Sequence, residues 1–474
     1  MKFLAPELLS PAEMGKADQV TIGGGVPGIE LMENAGRAVA RAVMRRFPPC
    51  RTLVLCGPGN NGGDGYVTAR RLAEAGWPVA LASLATPRAG TDAALAATRW
   101  RGPRADFSPA ASARAELVID AVFGAGLVRP VEGLVADTLR AARLVAAIDV
   151  PSGLDGASGA VLGYAPPSAL TVTFFRRKPG HLLLPGRLLC GALILAEIGI
   201  PASVLETVRP RTFANGPALW RLPMPAPDSH KWSRGHVTVL GGAAMTGAAR
   251  LAAAGARRIG AGMVTIAAPA SAAPVYRAGA AGVIVSEAPL AELLQDARRQ
   301  VFVCGPGLGV DAARTALPAL LAAKRHVVVD ADALTAFAGS IAGLRGAAVL
   351  TPHEGEFARL FGAPGPDRLE AAREAARRTD AVVVLKGADT VIAAPDGWAA
   401  INFSAPPDLA TAGTGDVLAG MIAGLLAQGL APPEAASAGV FLHGAAAEAV
   451  GPGLVAEDLP QALPRVIASM RARS

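Results

Sequence analysis

Short apolar runs alternate along the chain with Gly-rich turns and Ala-rich stretches of helical period. In the first part, runs rich in Val, Leu and Ile predict β-strands at 51–56, 78–84, 116–122, 144–150, 170–175 and 192–198. In the second part, similar runs predict strands at 236–242, 262–268, 300–305, 326–330, 347–351 and 381–387. Because strands that alternate with helices form parallel βαβ units, we expect two α/β domains.

A proline-rich segment near residues 205–228 separates the two series. Pro223, Pro225 and Pro227 alternate there, and proline, which lacks an N–H donor, favours an extended connector over a helix or a central strand. We therefore expect one domain over residues 1–210 and a second over 211–474.

The composition indicates a globular protein. Of 474 residues, 51% are hydrophobic and 18% charged, which excludes a disordered chain. The uncharged runs 156–175, 259–276 and 417–433 are diluted by Gly, Ser or Pro, or are short, so we interpret them as buried core. Pro6 and Glu7 stand where a secretory signal would be apolar. A cytoplasmic location is expected, with Cys50, Cys56, Cys190 and Cys304 as buried reduced thiols because they lack zinc or CxxC spacing.

The net charge of +7 comes mainly from the part before Trp220. No Lys/Arg-rich run accompanies it, so anionic small molecules fit at least as well as nucleic acid. The densest basic group, Arg176 to Lys178, is expected to be a solvated loop. A first domain that serves as an RNA-binding scaffold is the non-enzymatic alternative.

A Gly-rich turn, Gly57 to Gly65, follows the first predicted strand. Glycines there let backbone N–H groups approach an anion at the N-terminus of the next helix. The turn matches G-x-G-x-x-G, but a redox dinucleotide domain also needs an acidic residue at the end of the second strand. Residues 83–85 contain none, which disfavours that class.

Two later strands of the first part end in carboxylates, Asp120 and Asp149, and Ser152 follows the second of them. Adjacent parallel strands present their carboxyl ends to one crevice, where Asn61 would also lie. Oxygen ligands of this kind suit a hard cation, and a carboxylate there can act as acid or base. The alternative is that each Asp only caps a turn.

Four segments, VPGIELMENAGRAVA (26–40), CGPGNNGGDGYVTARRL (56–72), DAVFGAGL (120–127) and IDVPSGLDG (148–156), resemble the epimerase domain of NAD(P)HX repair enzymes. The resemblance implies a Rossmann-like three-layer domain that interconverts the R and S forms of nicotinamide nucleotides hydrated at C6. It implies a potassium ion on Asn61, Asp120 and Ser152, with Asp149 as the catalytic acid–base candidate. The implied substrate contacts are Asn60, Asn61, Gly62, Gly63, Asp64, Gly124, Ala125, Gly126, Leu127, Val128, Arg129, Pro130 and Asp149.

In the second part, Ala412-Gly413-Thr414-Gly415-Asp416 precedes an apolar helical stretch. Such a turn forms an anion hole for phosphate, and the Asp can orient or deprotonate a hydroxyl beside it. No GK[ST] follows, so this is not a Walker loop, and the alternative is that Asp416 only caps the helix. Lys386, at a strand end, is a candidate phosphate contact or an ordinary turn lysine.

Further polar strand ends are GPGLG (305–309), DADAL (330–334) and TPHEGE (351–356), where His353 is a candidate substrate contact. With the stretches 230–265, 385–393 and 412–420, these segments resemble the ribokinase-like fold and, within it, the ADP-dependent NAD(P)HX dehydratase. Trp232 departs from the pattern, since the family commonly has Gly there. The implied contacts are Ala248, Gly307, His353 and catalytic Asp416 for the substrate, and Lys386, Gly387, Ala388, Asp389, Thr390 and Gly415 for ADP, which is used with magnesium.

The combined resemblance implies an enzyme that epimerises NADHX and NADPHX and dehydrates the S form with cleavage of ADP. The rival interpretation is a ribokinase-like kinase of a hydroxymethyl-pyrimidine or a vitamin alcohol, because both chemistries present a hydroxyl to a phosphoryl group. The fused first domain and TPHEGE favour repair. We expect no nucleic-acid or membrane partner and a homo-oligomer.

Overall fold

The computed structural model describes residues 5–472, and contacts divide the chain into two compact units, Met1–Phe213 and Ala214–Ser474. Residues 1–4, part of the segment in which no secretory signal was expected, lie outside the described range. No helix within that range has both the length and the apolar content needed to cross a bilayer. All four cysteines are free, and three of them are buried.

The strands of the first unit follow the order of the predicted runs, with one short strand added at each end. They are β1 (Glu7–Leu8), β2 (Thr52–Cys56), β3 (Val79–Ser83), β4 (Leu117–Ala121), β5 (Val145–Ile148), β6 (Leu170–Phe174), β7 (Ala192–Ala196) and β8 (Thr212–Ala214). The helices are α1 (Pro11–Gly23), α2 (Gly28–Arg46), α3 (Asn60–Glu74), α4 (Asp92–Thr98), α5 (Pro109–Arg114), α6 (Gly133–Arg140), α7 (Gly186–Leu189) and α8 (Val204–Val208).

The sheet of the first unit has the order β3-β2-β4-β5-β6-β7, and all neighbours are parallel. Successive side chains of β2 alternate between two cores: Val54 and Cys56 pack in the core of α2 and α3, and Leu53 and Leu55 pack in the core of α6 on the other face. Because a strand alternates its side chains, this burial places helices on both faces. The predicted three-layer α/β fold is confirmed.

The strands of the second unit are β9 (His236–Leu240), β10 (Met263–Ala267), β11 (Ile284–Ser286), β12 (Val301–Cys304), β13 (His326–Val329), β14 (Val349–Leu350), β15 (Val382–Leu385), β16 (Thr390–Ala393) and β17 (Ala399–Asn402). The helices are α9 (Thr246–Arg258), α10 (Ala273–Arg277), α11 (Leu290–Leu293), α12 (Val310–Ala322), α13 (Ala331–Ala336), α14 (Glu354–Phe361), α15 (Arg368–Thr379), α16 (Thr414–Ala427), α17 (Pro432–Val450) and α18 (Asp458–Arg471). Residues 223–227 of the predicted connector contain neither helix nor strand.

The strands of this unit lie in the order β17-β16-β15-β14-β13-β12-β9-β10-β11. Neighbours are parallel except along β15-β16-β17, which is antiparallel. The expectation of parallel βαβ units alone is therefore wrong at this edge. The predicted runs did not include β11, β16 or β17. β17 is rich in Ala, which has low strand propensity, yet β16 and β17 are both fully buried.

Small residues let α9 and α16 pack closely. A Cβ added at Gly420 would lie 1.9 Å from the carbonyl oxygen of Ala252, and one at Gly424 would lie 2.8 Å from that of Ala256. No side chain fits at such distances, so the two backbones touch where these glycines stand. This contact fixes the position of α16, whose first turn carries Asp416.

We expect Gly420→Ala to lower the unfolding free energy of the second unit by about 1–3 kcal/mol, because the added methyl group forces α9 and α16 apart. Hydrogen exchange of α16 peptides, followed by mass spectrometry in the full chain, measures the change. Gly247→Ala, in α9 with open space around it, is the matched control and should be neutral or slightly stabilising. Unchanged protection of α16 in Gly420→Ala would contradict the packing argument.

Candidate active sites

The first unit contains a cavity of about 810 Å³ beyond the carboxyl ends of its parallel strands. Its walls come from α1, from the first turn of α3 and from the loop after β4, and Asp149 and Lys178 follow β5 and β6. This is the edge at which parallel α/β sheets bind ligands.

Asp149 is held by four groups that approach its carboxylate and its backbone. Its Oδ1 accepts hydrogen bonds from Lys178 Nζ (2.5 Å) and Thr173 Oγ1 (3.0 Å), and its Oδ2 accepts one from the Ala125 amide (3.1 Å). His181 Nε2 donates to the Asp149 carbonyl oxygen at 2.8 Å. Burial alone would raise the pKa of Asp149, but the charge and hydrogen bond of Lys178 outweigh it and lower the pKa. Asp149 is therefore an ionised, oriented carboxylate.

The basic group Arg176 to Lys178 is not a solvated loop, and that prediction is wrong. All three side chains are buried, and Lys178 is only 1% exposed. Arg176 Nε pairs with Glu7 at 3.1 Å, and its guanidinium stacks on the Phe175 ring. The segment follows β6 at the ligand edge of the sheet, where Arg176 pairs with Glu7 and Lys178 pairs with Asp149.

A second carboxylate, Asp120, lies behind the cavity and has no cationic partner among the described residues. Its Oδ1 accepts from Ser152 Oγ (2.6 Å) and the Val122 amide (3.2 Å), and its Oδ2 accepts from the Ser152 amide (2.8 Å). Burial raises its pKa despite these bonds. Ser152 Oγ also lies 3.2 Å from the Phe123 carbonyl oxygen. The result is a buried cluster of oxygen atoms.

Asn61 adds an amide whose Oδ1 and Nδ2 are both buried and have no hydrogen-bond partner among residues 5–472. It lies beside Gly124, where an added Cβ would stand 3.5 Å from Asn61 Cγ and 3.3 Å from Asp149 Oδ2. An orphaned buried amide oxygen is a ligand that a hard cation can satisfy, and the oxygen atoms of Asp120 and Ser152 are of the same chemical type. The residues present therefore fit the expected potassium ion.

The structure separates the predicted substrate contacts into two groups. Asn60, Asn61, Asp64, Asp149 and the loop 124–129 line the cavity. Gly62 and Gly63 pack α3 against its neighbours, since added Cβ atoms would meet Gly57 O at 1.9 Å and the Met32 side chain at 2.5 Å. Val128 is 92% exposed at the rim, and Pro130 is exposed beyond it.

In the second unit, α16 begins at Thr414 after Gly413, whose φ of +87° requires the left-handed region. No side chain within residues 5–472 caps this end of the helix, so its first amides are available to bind an anion. Asp416 is in the first turn, and burial, followed by the charge of Asp330, raises its pKa to about 6 against the opposing effect of Lys386. Asp416 does not act as the helix cap, and its pKa suits proton transfer near neutral pH.

Lys386 forms an ion pair with buried Asp330 (2.9 Å) and lies 3.9 Å from Glu356. Burial would lower the pKa of Lys386, but the carboxylates of Asp330 and Glu356 outweigh it and raise the pKa. A Cβ on Gly415 would lie 3.4 Å from Lys386 Nζ. The lysine is therefore charged and adjacent to the anion-binding turn, and it is not an ordinary exposed turn lysine.

The other predicted residues of this unit surround the same edge of the sheet. His353 begins α14, where its Nδ1 accepts from the amides of Gly355 (3.0 Å) and Glu356 (3.3 Å), and its side chain is 54% exposed. Gly307 and Ala248 are neighbours, since a Cβ on Gly307 would stand 3.2 Å from Ala248 Cβ. His353 thus has a structural role in capping, and about half of its side chain remains exposed.

Residues 386–390 form a turn that is held by hydrogen bonds and by an ion pair. Thr390 Oγ1 accepts from the Gly387 amide at 3.2 Å and lies 2.8 Å from the Gly387 carbonyl oxygen. Asp389 is buried and lies 3.4 Å from Arg368 Nε, and Ala388 lies between the two. Arg368 Nη1 also donates to Glu354 Oε2 at 2.7 Å. Arg368 is a site residue that sequence reasoning missed.

The missed residues of the first unit are Asp18, Thr173, Lys178 and His181. The rule that residues just after a parallel strand reach the ligand edge applies to Lys178 and could have found it. Asp18 gave no such signal, because it belongs to a helix before the first central strand. Its position depends on tertiary packing alone.

Two α/β units, each with a Gly-rich helix N-terminus and ionised groups at its strand ends, define a two-domain nucleotide-binding enzyme. A family model described as "NAD(P)H-hydrate dehydratase" matches residues 237–467, and one described as "YjeF-related protein N-terminus" matches residues 28–180. The chain belongs to the family of bifunctional NAD(P)H-hydrate repair enzymes.

Relatives named "Bifunctional NAD(P)H-hydrate repair enzyme Nnr" match over most of their length. The protein of Moorella thermoacetica is 38% identical over 98% of this chain and 97% of its own, and that of Mycobacterium tuberculosis is 40% identical over 86% and 84%. The solved structure of the ADP/ATP-dependent NAD(P)H-hydrate dehydratase from Bacillus subtilis, co-crystallised with ATP and Mg2+, is 32% identical. It covers 52% of this chain and 94% of its own, with a TM-score of 0.47.

We expect Lys178→Met to lower the unfolding free energy of the first unit, as measured by hydrogen exchange, by about 3–5 kcal/mol. The cause is that Asp149 is left as a charge in the protein interior without its counter-ion. Hydrogen exchange of β5 and β6 peptides measures the effect. Adding Asp149→Asn to Lys178→Met should restore part of the loss, since no charge is then left unpaired. Lys16→Met, at an exposed lysine of α1, is the control. Equal protection in Lys178→Met and Lys16→Met would refute the ion-pair assignment.

Proposed function

We propose that this chain repairs hydrated nicotinamide nucleotides in two steps. The first unit epimerises the R and S forms of NADHX and NADPHX. The second unit dehydrates the S form to NADH or NADPH and cleaves ADP to AMP and phosphate. The observation that carries this proposal is the relation of nearly the whole chain to bifunctional repair enzymes, together with one reactive carboxylate at the ligand edge of each unit.

In the first unit, Asn60, Asn61, Asp64 and the loop 124–130 are the proposed contacts of the substrate. Amides at the start of α3 provide hydrogen-bond donors for its phosphates. Asp149 is the proposed catalytic carboxylate, and its bonds to Lys178 and Ala125 hold it toward the cavity. A fixed anion at that position stabilises positive charge that develops at C6 during epimerisation.

Asn61, Asp120 and Ser152 would hold the proposed potassium ion. When bound, the ion would supply a positive charge that compensates the negative charge of Asp120, and it would restrict the movement of the loop after β4. The support for this assignment is the orphaned Asn61 amide and the absence of a cationic partner for Asp120 among the described residues.

In the second unit, Asp416 is the proposed base for the C6 hydroxyl. The hydroxyl oxygen attacks the β-phosphorus of ADP, AMP leaves, and the hydroxyl proton passes to Asp416. The C6–O bond then breaks with release of phosphate, assisted by the N1 lone pair, and loss of a C5 proton restores the dihydronicotinamide. Hydroxide is a poor leaving group, and phosphate is a good one, so the phosphoryl transfer makes the elimination feasible.

The second site also divides its ligands between two groups of residues. Ala248, Gly307, His353 and Asp416 are the proposed substrate contacts. Lys386 to Thr390 and Gly415 are the proposed contacts of ADP, whose phosphates would meet the α16 N-terminus and the Lys386 ammonium. A bound magnesium ion would neutralise the phosphates.

A cytoplasmic location and a homo-oligomeric state complete the proposal. The location is supported by four free thiols, which a reducing compartment preserves. The oligomeric state stays a prediction.

Incubation with mixed R and S hydrates of NADH tests both activities, since recovery of the 340 nm absorbance reports repair. With ADP we expect full recovery for the wild type, recovery of the S fraction alone for Asp149→Asn, and none for Asp416→Ala. R-to-S conversion, followed by chromatography, should persist in Asp416→Ala because the two sites act independently. Loss of both activities in either variant, or ATP-dependent phosphorylation of a pyrimidine alcohol by the wild type, would contradict the proposal.

Potassium binding should stabilise the first unit in a way that depends on Asp120. At a potassium concentration 100 times the Kd of the ion, the unfolding free energy that protects the β4 and β5 amides should be about 2.7 kcal/mol higher than in choline chloride of equal ionic strength. The cause is that the ion binds the folded site alone. Asp120→Asn should remove the difference, and hydrogen exchange measures both proteins. A potassium effect that survives in Asp120→Asn would place the ion elsewhere.

A further inference from the structure

One face of α1 lines the cavity of the first unit and carries a single charge. Pro11, Met14, Gly15, Asp18 and Ile22 follow helical spacing, and all of them line the cavity. Asp18 is half-buried, and no group within residues 5–472 hydrogen-bonds to its carboxyl. A carboxylate whose only role was solubility would lie on the solvent-exposed face of α1, where Lys16 lies. Asp18 instead lies on the apolar face that meets the ligand space.

The charged groups that face Asp18 come from several elements. They are Asp64 on α3, Asp149 after β5 and Lys178 after β6. The helix α8 packs against α1, but its Glu206 is exposed. Four carboxylates, Asp18, Asp64, Asp92 and Asp149, and two cationic side chains, Arg129 and Lys178, line the cavity. The Lys178 ammonium is paired with Asp149 at 2.5 Å. Among the described residues, Asp18, Asp64 and Asp92 form no ion pair, and of these Asp18 and Asp64 are the two that interact electrostatically with Asp149 and Lys178.

The protonation of these two carboxyls differs from that of Asp149. Burial raises the pKa of Asp18 to about 6, against the lowering effect of Lys178 and with a contribution from Asp149. Burial, followed by the charges of Asp149 and Asp18, raises the pKa of Asp64 well above its usual range. Both carboxyls at the cavity wall therefore bind a proton more readily than an ordinary Asp does, whereas Asp149 is held ionised, and a pair of such groups is suited to act as acid and base.

We propose that Asp18 on α1 and Asp64 on α3 are the two proton-transfer residues of epimerisation, with Asp149 as a fixed anion that stabilises a planar cation at C6. This inference rests on the proposed function of the first unit. It assigns a catalytic role to Asp18, and it separates the movement of protons from the charge stabilisation by Asp149.

The reaction balances with no further reagent than water. Asp64 gives its proton to the C6 hydroxyl, and the C6–O bond breaks with its electron pair on oxygen, so water leaves. The N1 lone pair forms a C6–N1 double bond, and the resulting cation faces the Asp149 carboxylate. Water then adds to the opposite face of C6, the π pair returns to N1, and the released proton passes to Asp18. Proton exchange with solvent water then returns the proton to Asp64 and ionises Asp18 for the next turnover, and the other epimer reacts with the two carboxyls in exchanged roles.

Asp18→Asn in the full chain tests the inference, with the purified R hydrate of NADH as substrate and chromatographic separation of R and S as the readout. We expect kcat for epimerisation to fall roughly 100-fold or more, with KM within about threefold because a neutral isostere keeps the shape of the cavity. ADP-dependent dehydration of the S hydrate should be unchanged. In the wild type, kcat should fall as the pH drops below about 6, because Asp18 then holds a proton. Any residual activity of Asp18→Asn should not show this fall of kcat at acidic pH.

Asp137→Asn, at an exposed carboxylate of α6, is the matched control and should behave as the wild type. Retention of more than about a third of kcat by Asp18→Asn would overturn the inference while leaving the proposed function intact, whereas a wild type without epimerase activity would overturn the proposed function itself. If Asp18→Asn lowers the hydrogen-exchange protection of the first unit, Asp18→Glu replaces it as the test variant. A change in the pH at which kcat of Asp18→Glu falls on the acidic side supports the role of Asp18, and an unchanged pH contradicts it.

Discussion

Burial of a parallel sheet on both faces is the constraint on which both units depend. Leu53 and Val54 of β2 pack into different cores on opposite faces, so a polar side chain inside the strand would face an apolar layer. Polar groups concentrate where each strand ends and its backbone turns into a loop or a helix. Asp149, Asp330 and Lys386 occupy such ends, and the fold therefore gathers reactive groups from segments far apart in sequence.

The two sites solve a common electrostatic problem with a buried lysine. Lys178 pairs with Asp149 at 2.5 Å, and Lys386 pairs with Asp330 at 2.9 Å. Beside each pair lies another carboxyl, Asp18 or Asp416, whose pKa burial raises to about 6. A paired ion in a water-poor site costs desolvation free energy, and here its two charges also act in opposite directions on the pKa of the neighbouring carboxyl. The sites thus combine a permanent charge with a titratable one.

Sequence pattern predicted the strands with buried apolar runs and the Gly-rich turns, since both depend on local chemistry. It also placed Asn61, Asp120, Asp149 and Asp416 at strand ends or in helix first turns, where the structure has them. It missed β17 because tertiary burial overrides the low strand propensity of Ala. It misjudged Lys178, because a basic triplet is ordinarily solvated and the buried carboxylate that pairs with it lies 29 residues earlier in the chain. Asp18 required the packing of α1, which no local signal encodes.

The backbone at Asp149 adopts a φ of +68°, in the left-handed region. Asp and Asn enter this region more readily than most side chains do, and β-branched residues are strongly disfavoured there. The sequence space open to this position is therefore narrow for a conformational reason, quite apart from chemistry. Replacement by Asn removes the charge and keeps the turn, whereas replacement by Val changes the turn as well, so only the former separates the loss of the anion from distortion of the loop.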